Sequence, residues 1–222
     1  MSISLKSKIG EWNTRRRISK LASQVKKREQ RSGTTHPIIF FNVSSRIRGL
    51  SLNAAFSLLT GWSFRLVGTP VINYACNSGM SHCVLGTNRQ DYRTPPPCQD
   101  CITQSKRLFE GSQVQWFKYQ VNESLAAELS HLSIENLSGF QYEIPILPAE
   151  QTQEGSISTI PLGSLVLPSI RWALRQHNLP DDEDTRYLMR AYMLSAYNLA
   201  LTFNSFLEKE QPAAVVLFNG IM

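Results

Sequence analysis

The sequence predicts an α/β fold in which a parallel, Rossmann-like sheet carries helices on both of its faces. Three observations support this prediction. Continuous apolar runs of strand length recur along the chain, as expected for strands that are buried on both faces. Helical patterns separate these runs, and a strand–helix–strand order predicts parallel pairing through a right-handed crossover. With 222 residues the chain is also long enough to bury a sizeable core.

The N-terminal segment is strongly basic and predicts a separate helical arm. Residues 1–31 carry ten lysines and arginines against two glutamates, a net charge of +8. The whole chain has a net charge of +6, and subtracting +8 leaves −2 for the remaining residues. Two apolar stripes on nearly opposite sides of the helix predict a break near Asn13 and Thr14. We therefore expect residues 1–36 to form a partly helical basic arm and residues 37–222 to form the folded domain.

The first strand–helix–strand unit follows directly after the arm. Residues 38–43 form a continuous apolar run, and residues 71–75 form the second one. Between them, Ser51 can cap a helix that begins at Leu52. One face of this helix is marked by apolar side chains, namely Leu52, Ala55, Phe56, Leu59 and Leu66.

The rest of the chain continues the alternation of strands and helices. Residues 133–160 contain Pro145, Pro148 and Gly155, and they predict an irregular segment that includes a surface loop. The remaining elements are expected as a helix at 98–110, a strand at 114–120, a helix at 123–132, helices at 162–178 and 185–207, and a last buried strand at 213–218.

All four cysteines lie in a glycine- and proline-rich loop after the second strand. Cys98 and Cys101 have the C-x₂-C spacing that allows two thiolates to bind one tetrahedral metal ion. Together with Cys76 and Cys83 they predict a structural zinc site or an iron–sulfur cluster. Reduced thiols without a ligand and a redox-active dithiol remain open. His82, which lies in the same loop, is an alternative ligand.

A second group of candidate residues follows two of the predicted strands. Residues 44–49 lie between the first strand and its helix, which places them at the carboxyl edge of a parallel sheet, where such folds bind ligands. Their arginines can bind phosphate or acidic sugar oxygens. No dinucleotide or P-loop signature is present. For residues 44–49 an ordinary solvated loop therefore remains open, and for residues 219–220 a simple turn remains open. The predicted substrate-binding residues are Ser44, Arg46, Arg48, Gly49, Asn219 and Gly220, and no catalytic residue is predicted.

The chain contains no apolar stretch of about 18 residues and no apolar core of a secretory signal peptide. We therefore expect a cytoplasmic protein. The basic arm can hold it at the inner face of the membrane through anionic lipid. The other interpretation of the arm is a solvated helix docked on the domain.

Three stretches carry a family resemblance: the strand–loop–helix–strand opening at residues 38–75, the loop C-N-S-G-M-S-x-C with its later PPPCQDC, and the long helix that runs into PAAVVLFNG. Together they resemble the N-terminal half of bacterial GT-B-type glycosyltransferases of capsule and surface polysaccharide biosynthesis. The resemblance covers residues 37–222. It implies a Rossmann-like acceptor-side domain, with the sugar donor held mainly by a second, C-terminal domain.

The resemblance also implies that the second GT-B domain is absent from this chain. The expected partner is then the missing donor-binding half or a split-enzyme subunit. A nucleotide sugar would bind, and sugar would be transferred to a polysaccharide acceptor, only together with that half. The alternative is a non-enzymatic zinc-binding module that contacts nucleic acid or another acidic partner. Nucleic acid is disfavoured because the positive charge is separate from the cysteines and lacks an aromatic platform.

Overall fold

A computed structural model of the chain describes residues 5–30, 36–43, 49–143 and 159–217, with the side chains of residues 5–9 left aside. Its elements along the chain are α1 (Leu5–Arg28), β1 (Ile38–Asn42), α2 (Leu52–Leu66), β2 (Val71–Cys76), α3 (Cys98–Leu108), β3 (Gln113–Phe117), α4 (Glu123–Leu129), α5 (Ile134–Gly139), β4 (Tyr142–Glu143), β5 (Thr159–Ile160), α6 (Leu162–Leu174), α7 (Glu183–Glu210) and β6 (Ala214–Val216).

The chain divides into two compact units. One unit, here called the sheet unit, comprises residues 1–78, 97–118 and 204–221, and the other, the helical unit, comprises residues 79–96, 119–203 and 222. Helix α7 contributes residues to both. Each unit is described by itself.

The sheet unit contains a four-stranded parallel sheet in the order β3-β2-β1-β6. Strand β1 pairs with β2 along its whole length, with Phe41 opposite Tyr74. On its other side β1 pairs with β6, with Phe40 opposite Val216. The predicted α/β fold with a parallel sheet is confirmed.

Helices flank the sheet on both faces. On one face, Ala54 of α2 and Leu108 of α3 pack against Ala75 of β2. On the other face, the Tyr74 ring stacks on the ring of Phe206 in α7, with the centroids 5.2 Å apart. Because side chains alternate along a strand, consecutive residues Tyr74 and Ala75 serve opposite faces.

Helix α2 forms where the sequence predicts it, but the apolar face marked by the sequence points outward. The Ser51 hydroxyl accepts a hydrogen bond from the Ala54 amide at 3.1 Å, which confirms the predicted cap. The packed side is the opposite one, formed by Ala54, Ser57, Leu58, Gly61, Trp62 and Arg65. The reason is steric. A Cβ on Gly61 would lie 3.6 Å from the Val71 side chain, so this small residue allows α2 to lie close to the sheet.

Helix α1 runs without interruption, so the predicted break near Asn13 and Thr14 is wrong. The Thr14 hydroxyl donates to a carbonyl within the helix at 3.0 Å instead of capping a new one. Ala22 and Val25 are buried against α2, whereas Trp12 and Leu21 are 58 and 45 % exposed. One continuous helix is possible because only one side of it has to pack.

The end of α1 is fixed to the sheet unit by Arg65, whose side chain is only 5 % exposed. Its guanidinium donates to both carboxylate oxygens of Glu29 at 3.0 and 2.9 Å. It also donates to the Ser112 hydroxyl at 3.0 Å and to the Gly111 carbonyl at 2.9 Å. The hydrogen bond from Arg65 lowers the pKa of Glu29 despite partial burial. The second half of the arm is therefore a docked part of the unit.

The helical unit has a core of its own, formed by α4, α5, α6 and α7. Residues 133–160 are not wholly irregular, which corrects the prediction for this stretch. The Ser133 hydroxyl accepts from the Asn136 amide at 3.3 Å and caps α5, and β4 pairs antiparallel with β5. The core side chains are Leu125, Leu129, Ile134, Leu137, Ile160, Leu162, Val166, Ile170, Leu174, Leu188, Met189, Tyr192, Met193 and Tyr197.

Helix α7 begins at an acidic turn, and Asp182 caps it. The Asp182 carboxylate accepts from the Thr185 amide at 2.8 Å, and this bond lowers the pKa of Asp182. Helix α6 continues through Pro168 and ends at Leu174, where Arg175 adopts a left-handed conformation. Within the described ranges, no helix has the length and apolar character needed to cross a membrane.

Candidate functional site

The order of strands in the sheet unit creates a topological switch point. From β1 the chain moves to β2 and then to β3, each one step further in the same direction. Strand β6 lies on the other side of β1, so the order reverses between β1 and β6. In open parallel sheets, ligands bind in the crevice outside the carboxyl ends of the two strands at such a point. The carboxyl ends of β1 and β6 therefore define the candidate site.

The segments predicted to bind substrate continue from these two strands. Ser44, Arg46 and Arg48 follow the end of β1, and Asn219 and Gly220 follow the end of β6, but all five lie outside the described residues. The strands themselves are parallel neighbours. The prediction that both strands end at one edge of the sheet is thus confirmed at the level of the strands.

Gly49 is the predicted site residue that the structure describes. Its φ of +73° lies in the left-handed region, which glycine adopts at little cost. Its carbonyl accepts a hydrogen bond from the side-chain amide of Gln104 in α3 at 2.7 Å. Gln104 is buried. The end of the loop after β1 is therefore tied to α3, a contact that helical periodicity could not reveal.

A buried polar pair joins β1 to β2 inside the sheet. Asn42 is the last residue of β1, and its side-chain amide donates to the Asn73 side-chain carbonyl at 3.0 Å. Both residues are buried, and Asn73 donates in turn to the Gln113 carbonyl at 3.4 Å. The sequence analysis missed this pair. Its signal was the presence of asparagine inside two otherwise apolar strands.

A cavity of about 930 Å³ lies between α1, α3 and the residues around Gly49. Its wall combines apolar side chains such as Ile18 and Leu108 with polar ones. The charged residues of the wall are Arg15, Arg16, Lys20 and Arg107, with Glu11 and Glu110. Four cations against two carboxylates make the cavity electropositive. An anionic group is the ligand that this balance favours.

The cysteines are distributed over both units. Cys76 ends β2, and Cys98 and Cys101 lie three residues apart in the first turn of α3, whereas Cys83 belongs to the helical unit. All four are half-buried. In the part of the chain that the structure describes, no group of three or more His, Cys, Asp or Glu side chains is placed to hold a metal ion. We derive no chemistry from a metal here, and the zinc or iron–sulfur site stays a prediction.

The part of the cysteine loop in the helical unit is held by its own hydrogen bonds. The Thr87 hydroxyl bonds to the Tyr192 hydroxyl at 2.8 Å, and the Ser81 amide donates to the Ser195 hydroxyl at 3.1 Å. Burial raises the pKa of Tyr192 to about 12, so its phenol stays protonated at neutral pH. A Cβ on Gly86 would overlap Pro96, which shows how closely the loop folds on itself.

His82 is the buried titratable group of this loop. Its Nε2 lies 2.8 Å from the Tyr92 carbonyl, and no described group bonds to its buried Nδ1. Burial lowers the pKa of His82. The imidazole is therefore neutral at neutral pH, with Nε2 donating its proton to the carbonyl.

Compared with family models, curated proteins and solved structures, the chain gives no significant match. The sheet topology and the residues at the carboxyl ends of β1 and β6 are therefore the basis for assigning a function.

Proposed function

We propose that the sheet unit is the acceptor-side part of a glycosyltransferase of the GT-B kind. It would bind an acidic saccharide or a sugar phosphate at the carboxyl ends of β1 and β6. The observation that carries this proposal is the switch point between these two strands, where open parallel sheets bind their ligands. Sugar transfer to a surface or capsular polysaccharide would require a donor-binding half in addition to this unit.

Two features of the sheet unit support an anionic ligand. Arg46 and Arg48 follow directly in sequence from β1. The cavity beside Gly49 carries more cations than carboxylates. Guanidinium groups bind phosphate and carboxylate in pairs of hydrogen bonds, and these bonds orient a sugar as well as retain it.

The proposal is tested by measuring the binding of two probes, glucose 1-phosphate and glucuronic acid, by NMR titration of the full chain. The variant Arg46→Ala/Arg48→Ala should bind at least one of them roughly tenfold more weakly or worse, because each charge-assisted hydrogen bond contributes about 1.5–3 kcal/mol. The matched control is Arg93→Ala/Lys209→Ala. It also removes two positive charges, from side chains that are 54 % and 75 % exposed. Equal affinities of the two variants, or no binding of either probe, would refute the proposal.

The zinc-dependent nucleic-acid module has weaker support. It needs a metal site close to a basic surface. In the described residues no metal-binding group is formed, and the basic residues are concentrated in α1.

A further inference from the structure

The outward side of α2 carries a row of exposed apolar side chains. Only Ser63 interrupts this row, here called the α2 ridge. At 100° per residue its members fall within an arc of about 100°, opposite the packed side of the helix. The ridge consists of Leu52, Phe56, Leu59 and Leu66 with the following Val67, which are 78, 43, 58, 37 and 70 % exposed.

Such a row requires a physical explanation. Single apolar side chains on a surface are ordinary, but a continuous apolar row usually marks a surface that another body covers. The α2 ridge extends over the whole helix, and the helix does not need it for packing, because Leu58 and Trp62 on the other side already supply that contact. The ridge is therefore available for an interaction outside the unit.

The ridge lies next to the most basic element of the chain. Helix α1 runs alongside α2 in the same direction, since Ile18 packs near Ala54 and Glu29 bonds to Arg65. By sequence α1 carries nine lysines and arginines against one glutamate.

One side of α1 continues the apolar character of the ridge. Arg17, Leu21 and Arg28 are exposed and share one side of α1. Ala22 and Val25 pack with α2, and Ser19 and Ser23 line the cavity towards α3 on one flank of that packed side. Leu21 and the two arginines lie on its other flank, so the helix next to α2 presents an apolar residue and cations away from the cavity.

We propose that the α2 ridge and the neighbouring basic side of α1 form a membrane-binding face. Its partner is a surface of anionic lipid, with the ridge at the level of the headgroups and upper acyl chains and the arginines and lysines among the lipid phosphates. Elements that lie on a membrane combine these two features, an apolar row for partition and adjacent cations for anionic lipid. A nucleic acid would satisfy the cations but would leave the apolar ridge in water.

This inference does not depend on the identity of any sugar ligand. The ridge and the site at the ends of β1 and β6 use different residues. A variant of the ridge should therefore leave the binding of glucose 1-phosphate and glucuronic acid unchanged.

The test is sedimentation of the full chain with two kinds of vesicle, phosphatidylcholine alone and phosphatidylcholine with about 30 % phosphatidylglycerol as a source of anionic charge. Phe56→Ser/Leu59→Ser removes the centre of the ridge, and Arg17→Glu/Arg28→Glu reverses two neighbouring charges. The matched apolar control is Leu165→Ser in α6, because Leu165 is 53 % exposed, close to the 58 % of Leu59. The charge control is Lys209→Glu. Urea unfolding of each variant checks that it folds as the parent chain does.

We expect the parent chain to bind the anionic vesicles and to bind the neutral ones much more weakly. Removing the two ridge side chains should weaken binding at least tenfold, because the partition of a Leu or Phe side chain is worth about 1.5–3 kcal/mol. Removing a basic residue at the surface should weaken vesicle binding about fivefold for each charge, and Arg17→Glu/Arg28→Glu, which reverses two charges, should weaken vesicle binding more. The controls should bind as the parent does.

Four results would overturn the inference. The first is equal binding of the ridge variant and the parent to anionic vesicles, and the second is binding of the parent that ignores anionic lipid. The third is that the parent forms a dimer and the ridge variant does not, while both bind vesicles equally. The ridge would then be covered by a second copy of the chain. Tight binding of labelled RNA that the ridge variant retains, in the absence of vesicle binding, would identify a nucleic-acid partner instead.

Discussion

Arg65 provides a quantitative test of how α1 is attached to the sheet unit. Its side chain is 5 % exposed and that of Glu29 is 38 % exposed. Arg65→Ala removes four hydrogen bonds and buried packing, and we expect it to lower the free energy of unfolding by about 3–4 kcal/mol. Glu29→Ala should cost less, about 1–2 kcal/mol, because water screens the carboxylate and Arg65 keeps its bonds to Ser112 and Gly111.

The coupling between the two residues is measured with a double-mutant cycle. We expect about 1 kcal/mol at neutral pH, read from urea unfolding and from hydrogen exchange of the amides in α1. Hydrogen exchange is included because a chain of two units need not unfold in a single step. As a control, Lys209→Ala breaks a surface pair with Glu210, at 3.2 Å, and should cost less than about 0.5 kcal/mol.

The same coupling should depend on pH in a defined direction. Since the pKa of Glu29 is lowered from its ordinary value of 4.5 in the folded state, the contribution of this carboxylate is present above pH 4.5. It should be lost as the pH falls through the lowered pKa. A coupling below about 0.3 kcal/mol at neutral pH, or one that does not change on acidification, would refute the assigned role of Arg65.

Three further predictions concern the helical unit and the cysteines. Gly163→Ala should destabilise the unit by about 3 kcal/mol or more in urea unfolding, because the new methyl would overlap the Leu137 carbonyl oxygen. His82→Gln should reduce the loss of stability that the parent shows below pH 6.5. Because the pKa of His82 is lowered in the folded state, the parent loses stability as the pH falls from 6.5 through the lowered pKa, and glutamine does not titrate. If the cysteines hold a metal, elemental analysis should find one equivalent in the parent and less in Cys98→Ser/Cys101→Ser.

Each of these changes has a matched control. Gly139→Ala adds the same methyl where nothing lies within 4 Å, so it should be close to neutral, and equal effects of the two glycine changes would contradict the steric argument. The matched substitution for His82→Gln is His131→Gln, at an exposed histidine. Metal that is retained after both cysteines are changed would exclude them as ligands.

The α/β fold was predictable because its signals are local. The apolar runs at β1 and β2 have the length of strands buried on both faces, and Ser51 begins α2 where its hydroxyl can cap the first turn. The third run also forms a strand, β6, but its predicted burial is wrong, because β6 is a partly exposed strand of three residues at the edge of the sheet. The order of these elements predicts parallel pairing, and parallel strands that end at one edge follow from it. The short elements α5, β4 and β5 were not predictable because they are too short to show a period.

The candidate site was only partly predictable. That β1 and β6 end at one edge of the sheet follows from their parallel pairing. The bond from Gln104 to Gly49 and the pair of Asn42 with Asn73 do not, because each joins residues that are at least 31 positions apart in sequence. The periodicity of a helix or a strand does not indicate which distant polar side chain its own polar side chains will contact.

Helix α2 shows which of its features the sequence determines and which the tertiary structure determines. The sequence by itself determined that residues 52–66 form a helix, that one of its faces is apolar, and that the chain before it is basic. Only the tertiary structure decided that this apolar face is the exposed one. The physical reason is that Gly61 and Ala54 allow the other side of α2 to approach the sheet, and that Leu58 and Trp62 on that side meet α1. A close fit of small residues outweighed the burial of larger ones, and that fit exists only when the sheet, α2 and α1 are assembled.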